Sequence, residues 1–247
     1  MHTPSGDAAS IRAVFFDAGN TLFYEAPTRF EIYTSAAREL GLSVTLETVR
    51  AAMHREHEHL PRIEGESARY TDRWFRAYVP AVFRSLGASE QQLDGLLESL
   101  LDRYRKTVKL VLFPETLATL EELRRRKFTI GIISNWSPRL MVHLERLGIV
   151  SILDFILISA VEGIEKPNPQ LFHRACERAG VEPHEAIHVG DHPANDAAGA
   201  RAAGVHGILI NRENDKNELL ASVKTQDATI PVIRSLSEIF TFLGDPA

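Results

Sequence analysis

The chain has 247 residues, 44% of them hydrophobic and 25% charged, which suits one large α/β domain or a core domain carrying a smaller insert. Its net charge of −5 offers no general attraction to nucleic acid or to an anionic membrane, so a phosphate site would need local cations. The single cysteine, Cys176, excludes an internal disulfide and fits a reducing, cytoplasmic setting.

Residues 1–10 are polar, with no basic start before an apolar stretch, and read as a flexible arm without a signal peptide. The run Ala13-Val14-Phe15-Phe16 is short and wholly apolar, as expected of a central strand in a parallel sheet. It breaks into the loop Asp17-Ala18-Gly19-Asn20-Thr21-Leu22, placing Asp17 on the rim where open α/β sheets bind ligands.

The pattern is helical from about 28 to 107. Phe30, Tyr33, Ala37 and Leu40 recur at helical spacing before Gly41, and Leu46, Val49, Met53, His57 and Leu60 form a second stripe. Tyr70, Trp74, Tyr78 and Val82 mark a third helix, with Trp74 read as core. Ser89 and Gln92 form a capping box before a fourth carrying Leu93, Leu97, Leu100 and Tyr104. His54, His57 and His59 are candidate cap acids, since histidine as a residue type titrates near neutral pH, and only the first two are candidates for neighbouring positions on one face; their plainer reading is core-edge or solvated histidine.

From Pro114 the chain alternates helix and strand. Pro114 suits a first helical position, and Arg124-Arg125-Arg126-Lys127 suits the last turn of that helix. Helices are expected over 138–147, 169–179 and 195–203, stopped by Gly148, Gly180 and Gly204, with strands between them, including 206–210 and 229–233. Cys176 falls on the apolar face of the 169–179 helix and reads as a buried small hydrophobe. The greasiest stretch, 149–161, is interrupted by Asp154 and too short to span a bilayer; 212–216 reads as a surface loop. The alternation implies a mostly parallel sheet covered on both faces.

Three later segments end as the first strand does. Ile130-Gly131-Ile132-Ile133 leads to Ser134 and Asn135, Ile156-Leu157-Ile158-Ser159 leads toward Lys166-Pro167, and Ile187-His188-Val189-Gly190 leads to Asp191, with Asp196 close behind. Together they supply a nucleophile, a hydroxyl, a cation and a second acidic cluster, the outline of a phosphoryl-transfer site. A carboxylate attacking phosphorus splits one hard hydrolysis into two displacements, and bringing two anions together calls for a metal ion and other positive groups. Mg²⁺ favours such oxygen ligands. Ser134 and Asn135, ahead of a helix, suit either phosphate contact or simple capping, and Asp17 and Asp196 equally suit a turn or an N-cap. Pro167 and Pro169 set Lys166 in a stiff local frame.

This ordered set, over about 11–236, resembles the haloacid dehalogenase-like hydrolase superfamily, most of whose members are Mg²⁺-dependent phosphatases, and in particular its branch with a helical cap between the first two motifs. The resemblance implies an α/β fold with a Rossmann-like core formed by 11–24 and 111–247 and a helical-bundle cap over 25–110. It also implies that Asp17 is the nucleophile, that Ser134, Asn135 and Lys166 hold the phosphoryl group, and that Asp17, Asp191 and the backbone carbonyl of Gly19 ligate Mg²⁺ with Asp196 in support. One departure stands out: Gly19 occupies the position of the family's usual second Asp, which protonates the leaving oxygen and activates water. Dehalogenases carry Tyr there. The expected activity is hydrolysis of a small phosphorylated molecule through an aspartyl-phosphate, in a monomer or homodimer with no nucleic acid or membrane partner. The alternatives are a phosphate- and metal-binding regulatory protein with little turnover, or a dehalogenase. For an enzyme, the missing acid leaves a good leaving group such as an acyl phosphate, a substitute from the cap or bound water, or slow turnover.

Overall fold

The computed structural model describes residues 11–60, 69–212 and 229–243. The arm at 1–10 and most of the loop expected at 212–216 lie outside these residues. β1 (Ala13–Phe16) is followed by β2 (Phe23–Ala26) and then by α1 (Arg29–Glu39), α2 (Leu46–His59), α3 (Asp72–Ser85), α4 (Glu90–Leu93) and α5 (Leu96–Thr107). β3 (Lys109–Leu112), α6 (Thr116–Arg125), β4 (Thr129–Ser134), α7 (Leu140–Arg146), β5 (Phe155–Ile158), α8 (Ser159–Glu162) and α9 (Pro169–Ala179) come next. The chain then runs through β6 (Ala186–Gly190), a π-helical turn (Pro193–Ala198), α10 (Gly199–Ala202), β7 (His206–Ile210), β8 (Val232–Ile233) and a 3₁₀ turn (Leu236–Thr241).

Six strands form one parallel sheet in the order β5-β4-β1-β6-β7-β8. β1 is fully buried, and its side chains alternate between two cores: Val14 and Phe16 join one cluster, Ala13 and Phe15 the other. This is an α/β, Rossmann-like sheet sandwiched by helices. The chain leaves β1 toward β4 on one side and returns as β6 on the other, so the strand order reverses at the C-terminal end of β1, where such sheets open a ligand crevice.

The five helices described between β2 and β3 pack around a separate core of Ile32, Ala37, Val49, Met53, Trp74, Tyr78, Val82, Phe83, Leu96 and Leu100. Their starts are set by caps. Thr28 forms a capping box with Glu31, Thr45 and Thr71 cap the next two helices, and Ser89 pairs with Gln92. Trp74 is buried and stacked on Tyr78 at 4.5 Å, as core. The fourth expected helix is two, because the chain turns at Gly95 with φ +68°. Sequence periodicity also missed the antiparallel ribbon of β2 and β3, which straddles the boundaries expected at 24/25 and 110/111. Glu25 of that ribbon is buried and tied to Arg29 by two hydrogen bonds (3.1 and 3.2 Å) and to the Tyr104 hydroxyl, fastening the insert to its stem.

Most other expectations hold with shifted ends, the helix expected over 195–203 being instead a π-helical turn that runs into a four-residue helix. The helix expected from Pro114 starts at Thr116, 138–147 shortens to Leu140–Arg146, and the strand at 229–233 is reduced to Val232–Ile233. Cys176 is buried on α9. Among the described residues no helix is long and apolar enough to cross a membrane.

Candidate active site

Asp17 leaves the end of β1 with its backbone N–H donated to Val189 O at 2.8 Å, which fixes the side chain between β4 and β6. Ser134, the last residue of β4, donates its hydroxyl to Asp17 Oδ1 at 3.0 Å, and Lys166 Nζ donates to the same oxygen at 2.8 Å. Asp17 Oδ2 has no protein donor among the described residues. Lys166 Nζ also reaches Asp196 Oδ1 at 2.5 Å, so one ammonium bridges two carboxylates. His188 Nε2 lies 3.1 Å from Asp196 Oδ1, and His192 N–H donates to Asp196 Oδ2 at 2.9 Å. Asp196 sits on the π-helical turn rather than the regular helix expected over 195–203. That wider turn, often found at functional sites, brings its carboxylate back against Gly190, where a Cβ would collide with it.

Burial and charge pull these groups in opposite directions. Burial raises the Asp17 carboxyl above its ordinary value, with the neighbouring Asp196 adding to the rise and Lys166 opposing it. Burial would lift Asp196 too, but Lys166 and the His188 hydrogen bond outweigh it and hold that carboxyl well below the usual range. Burial would lower Lys166, yet the two carboxylates keep it firmly protonated. His188 and His192 are both pushed down by burial.

Lys166 is positioned by its neighbours. Asn135 accepts the Lys166 backbone N–H at 2.8 Å and donates to its carbonyl at 2.9 Å, so its side-chain amide pins the Lys166 backbone from both sides. Glu165 is buried and receives Arg69 of the insert, Nε at 3.1 Å and Nη2 at 3.0 Å. Two further contacts bring insert and core together: Arg139 with Asp72 at 2.9 Å, and the Arg29 guanidinium 5.2 Å from the centre of the Trp136 ring.

Gly19 is explained sterically. A Cβ there would stand 2.6 Å from Trp136 Cζ3, so the indole fills the volume an acid side chain would need. Trp136, two residues beyond Ser134, was not singled out by sequence reasoning; a large ring beside a motif's hydroxyl was the available signal. Asn20 takes φ +57°, a conformation Asn tolerates, and its amide donates to Asp191 Oδ2 at 3.3 Å.

Asp17, Asp191 and Asp196 each offer an oxygen within 4.8 Å of the others. An all-oxygen set of three carboxylates fits a hard divalent cation, Mg²⁺ above softer metals. Asp196 is engaged by Lys166, His188 and the His192 amide, while Asp17 Oδ2 has no protein donor among the described residues.

The insert histidines divide. His59 is exposed and bonded to Arg55 O at 2.7 Å. His54 packs on Phe30, with rings 5.9 Å apart. His57 is tied to Tyr70 and Arg69, and burial together with the Arg69 charge pushes it down to about 4. It is neutral at physiological pH, unlike the acid sought there. Arg69 and Glu165 were likewise missed, and Tyr70, read as part of the third helix, stands before its Thr71 cap; the meeting of the three depends on how the insert docks.

The model for haloacid dehalogenase-like hydrolases matches residues 11–204. A mouse protein, haloacid dehalogenase-like hydrolase domain-containing protein 3, is 30% identical over 81% of this chain and 82% of its own length. A phosphoserine phosphatase of Thermus thermophilus is 30% identical over 82% of this chain and 89% of its own. The crystal structure of a HAD phosphatase from Thermococcus onnurineus superimposes with a TM-score of 0.64 at 27% identity, over 95% of this chain and 99% of that one. With its parallel sheet, switch-point carboxylate and bridging lysine, the chain belongs to the haloacid dehalogenase-like hydrolases.

Proposed function

We propose that this hydrolase is a Mg²⁺-dependent phosphatase of a small phosphorylated metabolite, working through an aspartyl-phosphate on Asp17. The observation that carries the reading is the asymmetry of Asp17: Oδ1 is held by Ser134 and Lys166, while Oδ2 has no protein partner among the described residues. One oxygen is thereby oriented and the other left to attack. Attack of Oδ2 on phosphorus forms the Asp17–phosphate bond, and the leaving oxygen takes the electron pair of the broken P–O bond. Lys166 offsets the charge gathering at the phosphoryl group, Ser134 supplies a hydroxyl beside it, and Asn135 holds the Lys166 backbone in place. Asp17, Asp191 and the Gly19 carbonyl would hold Mg²⁺, with Asp196 anchoring Lys166; when bound, the ion draws the two anions together and lowers their repulsion. The insert acts as a cap that excludes water from the crevice.

A second reading, binding of metal and phosphate with little turnover, is favoured by Trp136 standing where the usual acid would be. Phosphate release from monoesters and acyl phosphates, with Mg²⁺ or EDTA, separates the two in wild type and Asp17→Asn. The phosphatase reading expects metal-dependent release that disappears in Asp17→Asn. Mg²⁺-dependent phosphate binding without release or a trappable aspartyl-phosphate would establish the second.

A further inference from the structure

With no side chain at Gly19, a proton donor for the leaving group has to come from elsewhere, and one hydroxyl of the insert is arranged for it. Arg69 Nη1 lies 3.3 Å from His57 Nδ1 and donates to His57 O at 2.8 Å. An arginine only donates, so Nδ1 is the acceptor and the neutral ring carries its proton on Nε2. His57 Nε2 is 2.8 Å from the Tyr70 hydroxyl and therefore donates to it. The Tyr70 proton is thus left pointing away from His57, and among the described residues no group accepts it.

The rest of Tyr70's setting fixes that hydroxyl in space. Its ring lies against His57 (5.7 Å) and Trp74 (5.4 Å), and Trp74 is itself stacked on Tyr78. Its backbone has φ +69°, a left-handed conformation that is strained for a bulky residue and that clusters at functional sites. The preceding residue, Arg69, is clamped on Glu165, next in sequence to Lys166. Burial is the largest influence on the Tyr70 hydroxyl and pushes it up to about 12, with Arg69 opposing and Glu165 adding to the rise; Arg29 and Asp17 contribute less. Burial thus keeps the hydroxyl protonated. In-line attack by Asp17 sends the leaving oxygen to the side of phosphorus opposite Asp17.

Resting on the phosphatase reading, we propose that Tyr70 is the catalytic residue that donates a proton to the leaving oxygen, replacing the acid absent at position 19, with His57 and Arg69 as its positioning residues. As the P–O bond breaks, the leaving oxygen takes its electron pair and the Tyr70 proton. The His57 Nε2–H steadies the tyrosinate, which recovers a proton from the water that then hydrolyses the phosphoryl–Asp17 bond. The products are alcohol and phosphate, with Tyr70 restored. An alkoxide is more basic than a tyrosinate, so the first transfer runs downhill.

The test compares two substrates with Mg²⁺: an unactivated alkyl phosphate, which needs its leaving oxygen protonated, and 2,4-dinitrophenyl phosphate, which does not. Tyr70→Phe is expected to lose about 10²–10⁴-fold in kcat on the alkyl ester, the usual worth of such a donor, and to change little on the dinitrophenyl ester. His57→Ala should show the same selective loss to a smaller degree, with His57→Gln, which keeps an N–H donor, recovering part of it. His57→Ala carries the test alone if Tyr70→Phe does not fold. Equal losses on both esters, or none on either, overturn the role of Tyr70. Wild-type turnover of the activated ester only overturns it as well, while the phosphatase reading stands. Release from neither ester by wild type removes the phosphatase reading, and the Tyr70 proposal with it.

Discussion

Lys166 Nζ stands 2.8 Å from Asp17 Oδ1 and 2.5 Å from Asp196 Oδ1, so a buried lysine holds a buried nucleophile in place. Removing the shared cation leaves two buried carboxylates uncompensated, whereas removing one carboxylate leaves the Lys166–Asp196 pair intact. Breaking a buried pair typically costs about 3–5 kcal/mol. Lys166→Met is therefore expected to lose that much in urea unfolding, and Asp17→Asn far less while abolishing phosphate release. A Lys166→Met protein as stable as wild type would refute the argument.

Asn135 tests whether a motif residue acts on substrate or on the chain. Its amide is spent on the Lys166 N–H and carbonyl. Asn135→Ala is expected to cost about 1–3 kcal/mol of stability through the orphaned backbone groups. It should lower kcat through a loosened Lys166 and leave KM nearly unchanged. A rise in KM alone would indicate direct phosphate contact instead.

Restoring the usual acid should fail on its own. Gly19→Asp drives a Cβ to within 2.6 Å of Trp136 Cζ3, and overpacking of this kind costs about 1–3 kcal/mol. The single variant is expected to melt lower without gaining phosphatase activity, and Gly19→Asp with Trp136→Ala to recover stability. Thermal melts beside phosphate assays decide it; a fully stable, faster Gly19→Asp protein would mean the indole yields freely.

The Arg69–Glu165 pair joins insert to core beside Lys166. With Glu165 buried, a double-mutant cycle of Arg69→Ala and Glu165→Gln is expected to show a coupling of about 0.5–3 kcal/mol, the range for residues in contact. Additive effects would show that the pair does not hold the two bodies together.

Acid should loosen the insert through His57. Its folded value falls from the ordinary 6.5 to about 4, so between those values the unfolded chain binds a proton that the folded chain does not. Stability therefore rises with pH across that window and is lost as pH falls through it, by at most on the order of 3 kcal/mol. Urea titrations of wild type and His57→Gln between pH 4 and 7 should show the shallower slope in the variant. Parallel slopes would assign the effect to other histidines.

The parts of the fold carried by local pattern were legible. The wholly apolar β1, the strand-end positions of Asp17, Ser134 and Asp191, and the capping box at Ser89 all follow from spacing within a few residues. The β2–β3 ribbon did not show, because each strand is four residues long and one turns the charged Glu25 inward, a burial that only Arg29 and Tyr104 make tolerable. Lys166 could be read as a cation, but its second carboxylate could not, since Asp196 reaches it through a π-turn against Gly190. The links from Arg69 to Glu165 and from Trp136 to Gly19 join residues about 100 positions apart, and no periodicity reports them.

The filled space at Gly19 also bears on which histories are open to this chain. While Trp136 stays, a single codon change at position 19 meets a steric penalty before it can offer any catalytic gain. While Gly19 stays, trimming Trp136 strips Arg29 of its aromatic partner and opens a void. Each residue removes the incentive to change the other. The pair is interlocked, so that neither position can be changed alone without a cost in packing.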